Sequence, residues 1–122
     1  VVVVDLGQPT GAATLLDATE GLEVGLAVLA AGFGTTGAFT DSVPTDEAEM
    51  IAVNVTAVAQ LAQAFGSRMA AQRRGGLVLF GSMLGWQGVP GNANYAATKA
   101  YVQSLAEVLH LELKPRGVDV LS

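Results

Sequence analysis

An α/β domain with a doubly wound parallel sheet is the fold class that this sequence predicts. Short apolar runs without alternation mark strands buried on both faces, as in parallel sheets. Segments of helical period lie between these runs, with glycine or proline at most junctions. The resulting strand–helix–strand order is that of parallel strands joined by crossover helices. With 122 residues, 51% of them apolar and 14% charged, the chain suits one small globular domain rather than a disordered segment.

The first predicted strand is residues 1–5, VVVVD. A short helix follows over 10–20 and is stopped by Gly21. Residues 24–31 form the second strand. The loop after it holds Gly32-x-Gly34-x-x-Gly37, the letter pattern of a dinucleotide-binding turn. Such a turn needs a helix to start inside the glycine run, where backbone amides meet the pyrophosphate. Here the run continues as Ala38-Phe39-Thr40-Asp41-Ser42-Val43-Pro44, which has no helical period. The acidic residue expected about twenty positions on falls instead inside a helix, around Asn54. The stretch is therefore a loop at the carboxyl edge of a strand, where ligands bind in open α/β sheets.

A long helix is predicted from Thr45, as N-cap, to about residue 72, with a break allowed. Asp46, Glu47 and Glu49 favour its positive end. Ile51, Val55, Val58, Leu61, Phe65 and Met69 recur every three or four residues and make one apolar stripe. Residues 76–82 form the third strand and 93–113 the last helix, ended by Pro115 and Gly117. The fourth strand is 118–121. The chain opens directly on one strand and closes on another, so a piece of a longer protein is expected, a single partial domain over residues 1–122.

Several function classes are disfavoured. The net charge is −5 and the only basic cluster is Arg73-Arg74, which does not suit nucleic acid. With no cysteine and a single histidine, His110, no metal site is expected. No segment shows the signal-peptide pattern, and a cytoplasmic location is the expectation. The longest charge-free run, 75–98, carries six glycines and a proline and is a poor membrane span.

Chemistry concentrates in "NYAATKA", residues 94–100. On a helix, Tyr95 and Lys99 share a face one turn apart. A phenol with its ordinary pKa of about 10 shuttles protons poorly at neutral pH. An adjacent ammonium favours the phenolate. Lowering the phenol by about 3 units corresponds to roughly 4 kcal/mol and brings it near the working range of a general acid. The pair alone is equally an ordinary helix pair. Ser82, thirteen residues before Tyr95 at the end of a strand, adds a hydroxyl at the ligand edge. Asn54, on the apolar stripe, adds an amide that must be hydrogen-bonded if buried, or else cost about 1–3 kcal/mol. A satisfied core asparagine is the plain alternative for it. Trp86 suits a pocket wall and a plug against the sheet equally well; His110 suits the surface or an interface.

These residues closely resemble the short-chain dehydrogenase/reductase family, across essentially all 122 residues. Asn54, Ser82, Tyr95 and Lys99 stand in the order and spacing of its catalytic tetrad. "PGNANYAATKAYVQSLAEVLHLELKPRGVDVLS" looks like the family's segment from active-site helix to the following strand. The resemblance implies a partial Rossmann-like fold, NAD or NADP as cofactor, and hydride transfer with a small carbonyl or secondary-alcohol substrate. The serine and tyrosine would hydrogen-bond the substrate oxygen, the tyrosine passing the proton. The lysine would lower the tyrosine pKa and bind the nicotinamide ribose. The asparagine would hold a water in a proton relay.

The resemblance assigns cofactor contacts to Asp5, Ala30, Gly32, Tyr95 and Lys99. Leu29-Ala30-Ala31-Gly32 occupies the place of the family's Asn-Asn-Ala-Gly motif and lacks both asparagines. Gly81 replaces a frequent serine. The family's glycine-rich turn would precede Val1 and its lid would follow Ser122, so the piece is expected to bind cofactor poorly by itself. The two long helices would form a homodimer or homotetramer contact in the parent. Two alternatives are an epimerase or lyase of the extended relatives, against which the Ser82–Tyr95 spacing argues, and a non-catalytic protein on the same fold.

Overall fold

The computed structural model describes residues 1–122. Its sheet has three parallel strands, β1 (Leu26–Leu29), β2 (Gly75–Leu79) and β3 (Val118–Leu121), in that spatial order. Leu26 pairs with Gly76 and Leu29 with Leu79; Gly75 pairs with Val118 and Val78 with Leu121. The crossovers are α2 (Pro44–Ile51) running through a π-helical stretch (Ala52–Ala57) into α3 (Val58–Gln72), and α4 (Ala93–Leu113). A shorter helix, α1 (Gly11–Ala18), precedes β1. The architecture is α/β and Rossmann-like.

Residues 1–5 are not a strand, which corrects the sequence expectation. A strand exists by its ladder bonds, and this valine run pairs with none of β1, β2 or β3. The chain turns away at once, with Gly7 N donating to Asp5 Oδ1 at 2.9 Å.

The second correction concerns burial. Ala27, Leu29, Leu77, Leu79, Val118 and Val120 all point to one face, where they pack with Ala12, Val58, Leu61, Phe65, Met69, Val102 and Ala106 in a single core cluster. Full burial of each large side chain there stabilises the fold by about 1.5–3 kcal/mol. The alternate residues Leu26, Val28 and Leu121 are exposed, so the helices of this chain cover one face of the sheet rather than both.

The long helix starts at Pro44, not with Thr45 as cap. Proline's fixed φ suits the first helical position, where no amide partner is needed. The π stretch at 52–57 is the break the sequence allowed. A π turn takes one residue more than an α turn, and so moves the apolar stripe by one position. Met50 is therefore buried and Ile51 exposed, against expectation. By length and composition the 44–72 helix could cross a membrane, but half of its most apolar window is buried inside the fold. Arg73 ends it in the left-handed region at φ 57°, and Arg74 pairs with the exposed Glu23. His110 is exposed, with Nδ1 3.1 Å from Val120 O.

Candidate active site

Tyr95 is the third residue of α4 and Lys99 lies one turn further on, so both sit where the helix begins beside the carboxyl edge of the sheet. The Lys99 ammonium is 5.8 Å from the centre of the Tyr95 ring, within range of a cation–π attraction. Nζ donates to Phe80 O, just beyond β2, at 2.7 Å. Lys99 is only 7% exposed. Burial disfavours its charged form and holds its pKa below the usual lysine value, which eases release of a proton. An ammonium has three donors, so the bond to Phe80 leaves others for a ligand.

Asn54 sits in the π stretch and is 1% exposed. Its Oδ1 accepts from Phe33 N at 3.1 Å. Its Nδ2 donates to Phe33 O at 2.8 Å and to Thr98 Oγ1 at 3.1 Å. One amide thus binds the loop after β1 to the second turn of α4. Single π turns recur at functional sites; here one holds Asn54, whose side chain faces inward as the apolar stripe indicated. A side chain built on Gly32 would bring its Cβ within 3.0 Å of Asn54 Oδ1 and 3.6 Å of Lys99 Nζ, so all three residues converge.

The loop at 32–37 contains no helix start, as the sequence indicated, and rests against the tyrosine instead. A Cβ on Gly34 would lie 2.8 Å from Tyr95 Cδ2, too close for any other residue without displacement. The loop after β2 approaches from the other side. A Cβ on Gly85 would meet the backbone of Lys99 at 2.8 Å. Ser82 precedes this loop, and its Oγ accepts from Leu84 N at 3.2 Å, which leaves its own O–H free to donate.

Tyr95, Lys99, Ala30 and Gly32 line one cleft with Phe33, Gly34, Phe80 and Gly81. Asn54 stands behind it. Ser82 lines a neighbouring groove with Trp86 and Gln103, and the two spaces share Phe80 and Gly81. Trp86 is 71% exposed, which decides between its two readings: it is a groove wall and not a plug. Asp5 lines neither space; its carboxylate accepts from Gly7 N at 2.9 Å and from Gln8 Nε2 at 3.3 Å. Sequence reasoning placed Gly34 in a loop at the ligand edge without its contact to Tyr95, and missed three contributors: Thr98, Asn94 and Glu47. Glu47 was assigned only to the helix dipole, yet it is 9% exposed and bonded to Asn94 and Thr35. Its place seven residues before Asn54, on the same helical face, is the signal that could have found it.

The short chain dehydrogenase profile matches residues 1–122, the whole chain. The chain belongs to the short-chain dehydrogenase family. Among relatives in the family, a 7beta-hydroxysteroid dehydrogenase of Collinsella aerofaciens is 34% identical over 120 residues, which cover 98% of this chain and 46% of the relative. The bulky-bulky ketone specific alcohol dehydrogenase from Comamonas testosteroni superposes with a TM-score of 0.91 at 33% identity, over 98% of this chain and 49% of that one. A short-chain dehydrogenase from Sphingobium yanoikuyae in complex with NADPH gives a TM-score of 0.89 at 32% identity, over 97% and 48%. The chain therefore spans about half the length of the curated relatives it matches.

Proposed function

We infer that the complete protein carrying this chain is an NAD(P)-dependent oxidoreductase acting on a carbonyl or secondary alcohol, with Tyr95 as proton donor and acceptor. The observation that carries this is the pairing of Tyr95 and Lys99 in one cleft, with the ammonium 5.8 Å from the ring and partly desolvated. The cleft suits a nicotinamide nucleoside. Its walls are small at Ala30, Gly32, Gly34 and Gly81, and Lys99 keeps donors for ribose hydroxyls. When bound, that cofactor supplies or accepts the hydride. In reduction Tyr95 gives its phenolic proton to the substrate oxygen, and Lys99 stabilises the phenolate that remains. Ser82 donates its free O–H to the same oxygen. Asn54 keeps the loop and helix in register around the pair.

The substrate is proposed to be a bulky apolar ketone or alcohol. Met83 and Trp86 expose apolar surface beside Ser82, and relatives named for a hydroxysteroid and for bulky ketones support the reading. The groove between α3 and α4, lined by Ala62, Gly66, Leu105 and Leu109, is proposed as the contact of a homo-oligomer. The deciding experiment is Tyr95→Phe in the complete protein. Carbonyl reduction should fall by about 10²–10⁴-fold while cofactor affinity, measured by fluorescence titration, stays near the starting value. Retention of most of the turnover sinks the reading.

A further inference from the structure

Asn54 and Glu47 lie seven residues apart, two helical turns, on the inward face of the α2–π–α3 helix. Both reach the same two neighbours. Asn54 holds the loop after β1 at Phe33 and α4 at Thr98. Glu47 holds the same loop at Thr35, whose Oγ1 donates to Oε1 at 2.9 Å. It holds α4 at Asn94, whose Nδ2 donates to Oε2 at 2.7 Å and to the Glu47 carbonyl at 3.1 Å. Gly34, between the two loop anchors, rests on the Tyr95 ring. Tyr95 itself lies between the two anchors on α4, one residue after Asn94 and three before Thr98. Four anchor points therefore enclose the phenol, two from each polar side chain.

A helix-dipole role does not account for this. Asp46 is also in the first turn and remains exposed. Glu47 turns inward, where a carboxylate enters only with hydrogen-bond partners, and both bonded oxygens face other elements.

We propose that Glu47 is a positioning residue for the proton donor: its carboxylate, held between Thr35 and Asn94, fixes the ring of Tyr95 against Gly34. The proposal rests on the oxidoreductase reading for its kinetic consequence and on geometry alone for its structural one. A displacement of about 1 Å at a reacting group costs up to roughly 100-fold in rate. Glu47→Ala should lower kcat about tenfold or more, with KM for the cofactor within about twofold of the original. Glu47→Gln retains an oxygen for Asn94 and an amide donor for Thr35 and should restore kcat to within about threefold. Asp46→Ala, which alters only the helix end, should leave kcat unchanged.

The test uses the complete protein and adds amide hydrogen exchange without cofactor. Exchange at residues 96–98, the first hydrogen-bonded amides of α4, should quicken in Glu47→Ala and stay slow in Asp46→Ala. If Glu47→Ala does not fold, Asn94→Ala cuts the same tie from the other end, with the same expected split between kcat and KM. An unchanged kcat in the variant that severs the tie overturns the proposal, as does a loss of kcat that Glu47→Gln does not restore. A complete protein without any turnover overturns the oxidoreductase reading instead. The exchange pattern then decides the proposal, and unaltered protection at 96–98 rejects it.

Discussion

The two loops that flank the Tyr95 cleft are built in opposite ways. The loop after β1 is tied by polar side chains: Phe33 to Asn54 and Thr35 to Glu47, with Gly34 pressed on the ring between them. The loop after β2 has one such tie, at its start, where Lys99 Nζ donates to Phe80 O; beyond Ser82 it is held by shape, through the close approach of Gly85 to the Lys99 backbone, and it leaves Met83 87% and Trp86 71% exposed. Hydrogen bonds have narrow geometry, so the first wall fixes the orientation of the Tyr95 ring. Apolar contact is non-directional, so the second wall can follow the outline of varied bulky molecules. On the proposed function, proton transfer would sit on the rigid side and substrate shape on the adaptable one.

The most damaging way to break the contrast is at Asn54. Asn54→Leu keeps volume but strips both Phe33 N and Phe33 O of their partner. An unsatisfied buried group costs about 1–3 kcal/mol; Phe33 is 38% exposed, so water re-bonds part of what is lost, and urea unfolding should show a loss of roughly 1–3 kcal/mol. A midpoint close to the original would mean that water or another group replaces the amide. Gly34→Ala comes next. Its Cβ must displace the ring or the loop, at about 1–3 kcal/mol of overpacking, and turnover should drop more than the melting temperature suggests. Equal proportional losses would deny the loop its special relation to Tyr95.

Acidification should weaken the tied wall selectively. The Asn94 and then the Thr35 hydrogen bonds hold the Glu47 carboxyl below its ordinary value of 4.5. Because the folded state binds the proton less readily than the unfolded chain, the resulting stability is complete above pH 4.5 and lost as pH falls through the folded value. Melting temperatures of Glu47→Gln and the unmodified protein should therefore converge in acid; parallel curves from pH 6 to pH 3 count against the carboxylate. The smallest effect is expected at the adaptable wall. Trp86→Ala should change stability by no more than about 0.5 kcal/mol, since the ring is largely in water. It should raise KM for bulky ketones and leave small ones alone, a difference read directly from steady-state kinetics.

Local chemistry alone was enough for much of this molecule. The stop residues Pro115 and Gly117 bounded the last helix at about 93–113, and the four-residue step from Tyr95 to Lys99 placed both on one face because helix geometry is a property of the chain itself. The absence of helical period after Gly37 told the loop apart from a phosphate turn. The valine run at 1–5 read as a strand by the same local rules, but strand structure needs a neighbour and the run finds none here. Only the folded molecule decided which polar groups meet. Thr35 and Asn94 reach Glu47 across 12 and 47 residues of chain, and Thr98 reaches Asn54 across 44. One extra residue in a π turn, invisible within an apolar stripe, turned Met50 inward and Ile51 out. Such contacts depend on the rotation and packing of whole elements, which spacing along the chain does not encode.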